Sequence, residues 1–242
     1  MLYEIHKTSF QRKKPNFSTL FLNSGAHIQH HFFFNSPFSK SKNLLNPKWY
    51  LDQKKDPVLD MLKTYDYAIK DLLKIKNTEL IIATGLSQKP FEKIKYYYRL
   101  KNHDKFLNLL DIKFRDVHTK MARDFLVTFD SVDDAVEAEK KLSQLKSNED
   151  IKLFDEIDNR GKDLYIVLTY PKEIDKNTKL KLQKKEISIE DFVNFVAIKN
   201  GEHQSKGFAY FSNGLRDISP DSNSHVSNIH NTVLEYFKIY DF

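Results

Sequence analysis

The apolar positions of this chain fall into short continuous runs and helical stripes. Between Pro15 and Asn23-Ser24-Gly25, the run FSTLFL (17–22) predicts a short buried strand. A run apolar at nearly every position suits a strand covered on both faces, so the expectation is a parallel, central one. After an irregular, aromatic-rich stretch (32–56), Val58, Met61, Leu62, Tyr65, Ala68 and Ile69 recur at spacings of three and four. They predict a helix from Asp56 to about Lys76, with Pro57 in its first turn. Glu79-Leu80-Ile81-Ile82-Ala83 then reads as a second buried strand. Strand, loop, helix, strand is the opening of an α/β fold.

The middle of the chain has another rhythm. Strands are predicted at 95–100, 123–129, 151–154 and 164–170, with helices from His103 and from the capping box Ser131-Val132-Asp133-Asp134. Asp158-Asn159-Arg160-Gly161 supplies a turn before the last of these strands. That order predicts a split βαβ, ferredoxin-like α+β subdomain inserted at 93–172. The α/β core would comprise 1–92 and 173–242, as a mostly parallel sheet flanked by helices. In the returning part Phe195–Ile198 and Phe208–Phe211 read as strands, Asn200–Gly207 as a loop between them, and the residues from Ser224 as a last helix.

Composition narrows the chemistry. The absence of cysteine excludes disulfides, thiolate metal sites and a cysteine nucleophile. A formal charge of +6 permits a polyanionic partner without requiring one. No apolar run approaches the ~18 residues of a membrane span, and the N-terminus lacks the apolar core of a secretory signal. A cytoplasmic chain is the expectation.

Three of nine histidines crowd into NSGAHIQHH: His27, His30 and His31. In a helix His27 and His31 share a face; in an extended segment they also point together. Either arrangement suits a cation or an anion; the competing reading is a plain polar loop whose imidazoles only bond to backbone groups. A fourth, His203, lies in KNGEHQSKG, where Gly201 and Gly207 permit close backbone approach and Lys199 and Lys206 add charge. ATGLSQ (83–88) has neither the G-x-S-x-G of a nucleophile elbow nor the spacing of a P-loop, and reads as a tight turn. In KYYYRLK (95–101) aromatic and basic residues interleave, as on a base-stacking surface. RDFLVTFDSVDDAVEAEKKL is similar to part of an RNA-recognition module but lacks its aromatic signature. Nucleic acid is not the favoured partner.

The order of these elements resembles the type I phosphodiesterases and nucleotide pyrophosphatases of the alkaline phosphatase superfamily. There a strand is followed by D-x-x-x-H, a helix, a second strand ending in D-H-G, and later a loop with a single histidine. Asn23-Ser24-Gly25-Ala26-His27 has the first spacing, the helix from Asp56 and the strand to Ala83 match the next elements, and Gly201-Glu202-His203 stands at the last. The resemblance covers 15–90 and 190–240. It implies hydrolysis of phosphate or sulfate esters, with zinc or manganese on Asn23, His27 and His203, and with His30, His31 and Lys206 contacting the ester. This chain departs from the pattern in three places. Asn23 replaces an acidic ligand, Thr84–Gln88 stands where D-H-G is expected, and the family's nucleophile would lie upstream of FSTLFL. The resemblance is therefore to the C-terminal part of such an enzyme, with a separate N-terminal half or a longer parent chain implied. The competing expectation is a non-enzymatic binding module that meets nucleic acid or protein through Tyr96, Tyr98 and Arg99.

Overall fold

A computed structural model of the chain describes residues 1–39, 44–182 and 185–240. It divides into two compact units, Met1–Glu92 with Asn200–Phe242, and Lys93–Lys199.

The first unit opens with helix α1 (Leu2–Lys13), which ends where Lys14 turns into the left-handed region at φ 47°. The Asp71 carboxylate accepts from the Tyr3 hydroxyl and the Lys7 ammonium, each at 2.6 Å. These two donors hold the Asp71 carboxyl below the usual range. Helix α2 (Ser24–Phe32) runs on through short 3-10 turns, and α3 (Pro57–Leu72) follows. Helix α3 starts as its sequence requires: the Asp56 side chain accepts from the Leu59 amide at 3.0 Å and Pro57 occupies the first turn. Its apolar stripe buries Val58 and Met61 against Phe33, with Ile28 and Tyr65 at the margin. Strands β1 (Ile81–Thr84) and β2 (Ser87–Pro90) complete this part.

The second unit contains β3 (Tyr96–Leu100), α4 (His103–Leu109), β4 (Asp116–Thr119), β5 (Asp124–Thr128), α5 (Val132–Ser143) and β6 (Lys146–Ser147). After these come β7 (Glu156–Asn159), β8 (Asp163–Val167), β9 (Lys179–Leu182), β10 (Lys185–Ser188) and β11 (Val193–Ile198). The capping box opens α5 as expected, with the Asp134 amide donating to the Ser131 hydroxyl at 3.1 Å. The core collects Phe106, Phe125, Phe154, Leu142, Leu164 and Ile166, all at most 1% exposed. Residues 151–154 contribute only an isolated bridge, Lys152 to Lys146.

The chain then returns to the first unit as β12 (Gly201–Gln204), β13 (Phe208–Phe211) and α6 (Asn228–Tyr236).

The sheets correct the expected fold class. Every pairing among the described residues is antiparallel: β1 with β13, β2 with β12, β3 with β11, β10-β9-β6, and β4-β5-β8-β7. Among the described residues the expected mostly parallel sheet flanked by helices does not form. FSTLFL is irregular rather than a strand, and it is open to solvent, Phe21 being 81% exposed. Without it the strand–helix–strand crossover has no first strand, and β1 instead pairs with β13, Ile81 opposite Phe211. A ferredoxin-like sheet would need β3 beside the strands that follow; β3 pairs with β11 instead. The four-stranded sheet is two hairpins side by side, β4–β5 and β7–β8, joined through the β5–β8 pair. The compact unit runs past 172 to Lys199 because β9 pairs with β6 and β11 with β3. No helix among the described residues is long and apolar enough to cross a membrane.

Candidate histidine site

The helical alternative for NSGAHIQHH is the one adopted. Helix α2 has no side-chain cap of its own at Asn23. Its N-terminus is capped from α3: the Tyr65 hydroxyl accepts from the Gly25 amide at 2.7 Å and donates to the Leu22 carbonyl at 3.1 Å. The Ser24 hydroxyl lies 3.0 Å from the same oxygen. One phenol thus satisfies an orphan amide of the first turn and fixes where the helix begins.

The other end of α2 meets the start of β12. The Asn200 amide donates to the His30 carbonyl at 2.8 Å. The Asn200 carboxamide pairs reciprocally with that of Asn46, at 2.8 and 2.9 Å, and its oxygen also accepts from the Phe34 amide at 2.9 Å. Asn200 is fully buried and Asn46 nearly so. Behind them Gly201 sits so close to α2 that a Cβ there would lie 3.0 Å from the Gln29 carbonyl oxygen. Gly207 is tighter still, its virtual Cβ 2.1 Å from the Thr84 oxygen. Both glycines bear out the close backbone approach expected of KNGEHQSKG.

This framework brings His30 and His203 together, Nε2 to Nε2, at 2.9 Å. His203 therefore lies on a strand, opposite Gln88 of β2, rather than in a loop. The Nδ1 of His30 lies 3.2 Å from the Gly201 carbonyl oxygen, which can only accept. Nδ1 must then carry hydrogen, and in the neutral ring Nε2 keeps its lone pair. The His203 Nε2–H donates to it. If the pair takes up one proton, His30 donates at both nitrogens and His203 becomes the acceptor. Both hydrogen bonds survive that change.

The remaining residues fall around this pair. His27 and His31 face each other one turn apart, ring centroids 4.5 Å apart, and His27 is exposed. The Nδ1 of His31 is 3.2 Å from the Tyr50 hydroxyl. Burial, followed by the neighbouring His27 and His30, holds the pKa of His31 below its ordinary value. Asn23 is exposed and contributes its backbone carbonyl to the His27 amide. Lys206 is exposed, its ammonium 6.0 Å from the Phe208 ring centroid. The partner of His203 is thus His30; no hydrogen bond or ring contact joins His203 to His27 or Asn23 among the described residues. Gln88, which the sequence gives no reason to single out, lies alongside. Its Nε2 donates to the Ala26 carbonyl at 3.1 Å, and its Oε1 is buried without a hydrogen-bond partner among the described residues.

Two imidazole nitrogens at this separation suit a divalent cation. Zinc–nitrogen distances of ~2.0–2.1 Å in a tetrahedral site place two ligand nitrogens roughly 3.3 Å apart, so the pair would open by a few tenths of an ångström. The His30 tautomer is the one a ligand needs, its distal N–H anchored on a carbonyl, whereas His203 would have to carry its proton on Nδ1 instead of Nε2 to ligate. Among the described residues no group of three or more histidine and carboxylate side chains gathers to complete such a site. Water, an ester oxygen or another molecule would have to fill the coordination shell.

The aromatic face proposed for nucleic acid does not form. Tyr96 and Tyr98 turn inward, 8% and 4% exposed. The Tyr96 hydroxyl donates to Glu173 at 3.1 Å and that of Tyr98 accepts from the Ile174 amide at 2.8 Å. The chain matches no family model, no curated protein and no solved structure.

Proposed function

We propose that the first unit is a phosphodiesterase-like domain that binds a divalent cation and a phosphate or sulfate ester at the His30–His203 pair, and that this chain alone lacks the groups to turn the ester over. The observation that carries this reading is the 2.9 Å approach of the two Nε2 atoms, with the His30 Nδ1 committed to a backbone carbonyl. Zinc or manganese held there would polarise an ester oxygen. Lys206 beyond β12 would add positive charge toward the ester's anionic oxygens, and His27 and His31, on the adjoining turn of α2, would offer ring N–H donors to them. The ligand set differs from the one the family resemblance implies, with His30 in place of His27.

The test is calorimetric titration of the full chain with zinc and with manganese. Saturable binding of one ion per chain, weakened at least ten-fold by His30→Ala or His203→Ala and little affected by His27→Ala, supports the reading; a single lost imidazole ligand carries an effect of about that size. Equal binding by all four proteins, or no binding, rejects it.

A further inference from the structure

The second unit carries a separate concentration of positive charge around Tyr97. By strand alternation Tyr97 points opposite to the buried Tyr96 and Tyr98. The Arg123 guanidinium stands over its ring, 4.3 Å from the centroid, and the Lys95 ammonium is 6.0 Å from the same centroid. Backbone pairing brings a third cation alongside: the Lys199 amide donates to the Lys95 carbonyl at 2.8 Å. The Lys95 ammonium is partly buried, and burial pushes its pKa down. Arg123, Lys199 and Lys93 push it the same way, and Glu156 alone opposes them. Four basic residues therefore act on one small region against a single carboxylate. Neither Lys95 nor Arg123 forms an ion pair among the described residues. With Glu156 the one acid acting on Lys95 against three basic neighbours, the local charge stays positive, and a multivalent anion relieves it.

We propose that Lys95, Arg123 and Lys199, with Lys93 at the margin, form a binding site for a diphosphate group beside the Tyr97 ring. Arg123 Nη1 donates to the Leu168 carbonyl at 3.4 Å, so the other donors of its planar fork meet the first phosphate, while the ammonium of Lys95 meets the second as a point charge. A single phosphate carries about −1.5 to −2 charges at neutral pH, so two match a cluster of this strength better than one. The Tyr97 face is taken by Arg123, which argues against a stacked base as the main contact.

The site is tested by titrating the full chain with inorganic pyrophosphate, with orthophosphate and a short single-stranded oligonucleotide in parallel. Saturable pyrophosphate binding, tighter than orthophosphate and weakened about ten-fold by Lys95→Gln or Arg123→Gln, is expected, the loss of one charge-assisted hydrogen bond being of that order. His30→Ala and His203→Ala should leave it unchanged, which separates this site from the histidine pair. Lys93→Gln, at an exposed position, gives a smaller loss in a fold left intact. The proposal is overturned by absence of binding up to millimolar pyrophosphate, by binding that survives the Lys95 and Arg123 changes, or by an oligonucleotide that binds where pyrophosphate does not.

Discussion

Asn46 and Asn200 hold each other by two carboxamide hydrogen bonds, 2.8 and 2.9 Å long, across 154 positions of sequence. The pair fixes the aromatic stretch after α2 to the first residue before β12, and through the Asn200 amide it holds the end of the helix that carries His30. Both partners are buried, so neither can exchange its lost bond for one with water. Asn200→Ala removes the acceptor of the Phe34 and Asn46 donors together. The expected cost is about 2–4 kcal/mol to the first unit, read as a lower denaturation midpoint in urea. A loss below ~0.5 kcal/mol would show that the network contributes nothing measurable.

Tyr65 tests a different part of the same scaffold. Its hydroxyl caps α2, while its ring lies against the Phe33–Val58–Met61 cluster. Tyr65→Phe keeps the ring and removes the cap. The expected loss is about 1–2 kcal/mol, the size of a missing N-cap bond. Amide exchange should accelerate at Gly25 and through the first turn of α2, and remain slow in α3. Unchanged exchange at Gly25 would mean that water replaces the phenol at no cost.

Two histidines make both units sensitive to acid. Burial lowers the pKa of His31, with the His27 and His30 charges acting in the same direction. Burial also lowers that of His103, whose ring packs edge-on against Phe125 at 4.7 Å; Asp104 opposes the shift and Arg99 reinforces it. In each case the unfolded chain, with an ordinary value near ~6.5, binds the proton first. Stability is therefore full above about pH 6.5 and falls as the pH drops through the unfolded value toward the folded one, then levels off. Thermal unfolding followed from about pH 7.5 down to pH 5 should show this decline. His31→Gln should flatten the slope belonging to the first unit and His103→Gln that of the second. A slope unaltered by either substitution would place the acid sensitivity elsewhere.

What the sequence revealed depends on how local the determinant is. The starts of α3 and α5 were legible because Asp56 and Ser131 act on amides three residues away. The strand segments from Tyr96, Asp124 and Asp163 were legible because their alternation and length are local too. Pairing was not. FSTLFL carries the apolar content of a buried strand, yet whether such a run pairs depends on neighbours that no local pattern specifies. The assignment of β1 to β13 rests on residues well over a hundred positions apart, and the parallel expectation failed for that reason. The histidine site divides the same way. The crowding of His27, His30 and His31 and the interest of His203 were visible as composition. That His30 rather than His27 meets His203 follows from the rotation of α2, which is set by Tyr65, Asn200 and Gly201. Tyr65 reads in sequence as one more apolar position of a helix, and nothing about Asn46 or Gln88 marks them out.

Gly201 and Gly207 separate the site from its scaffold. A methyl group at Gly201 would meet the end of the Gln88 side chain at 2.5 Å, which can swing away, and the Gln29 carbonyl oxygen at 3.0 Å, which belongs to the α2 backbone. Gly201→Ala should therefore push α2 from β12, at a cost of about 1–3 kcal/mol, and lengthen the His30–His203 contact. At Gly207 the obstruction is the Thr84 carbonyl at 2.1 Å, on the β1 side and away from α2. Gly207→Ala should destabilise at least as much while leaving the two imidazoles in contact. Long-range nitrogen–proton correlation spectra of the histidine rings distinguish the outcomes. The wild type and Gly207→Ala should both keep His30 protonated at Nδ1 and His203 protonated at Nε2, and Gly201→Ala should lose that asymmetry. If both variants keep it, the histidine pair does not depend on the close approach of α2 to Gly201. If both lose it, the two strand pairs of the first unit yield together and the site has no separate support.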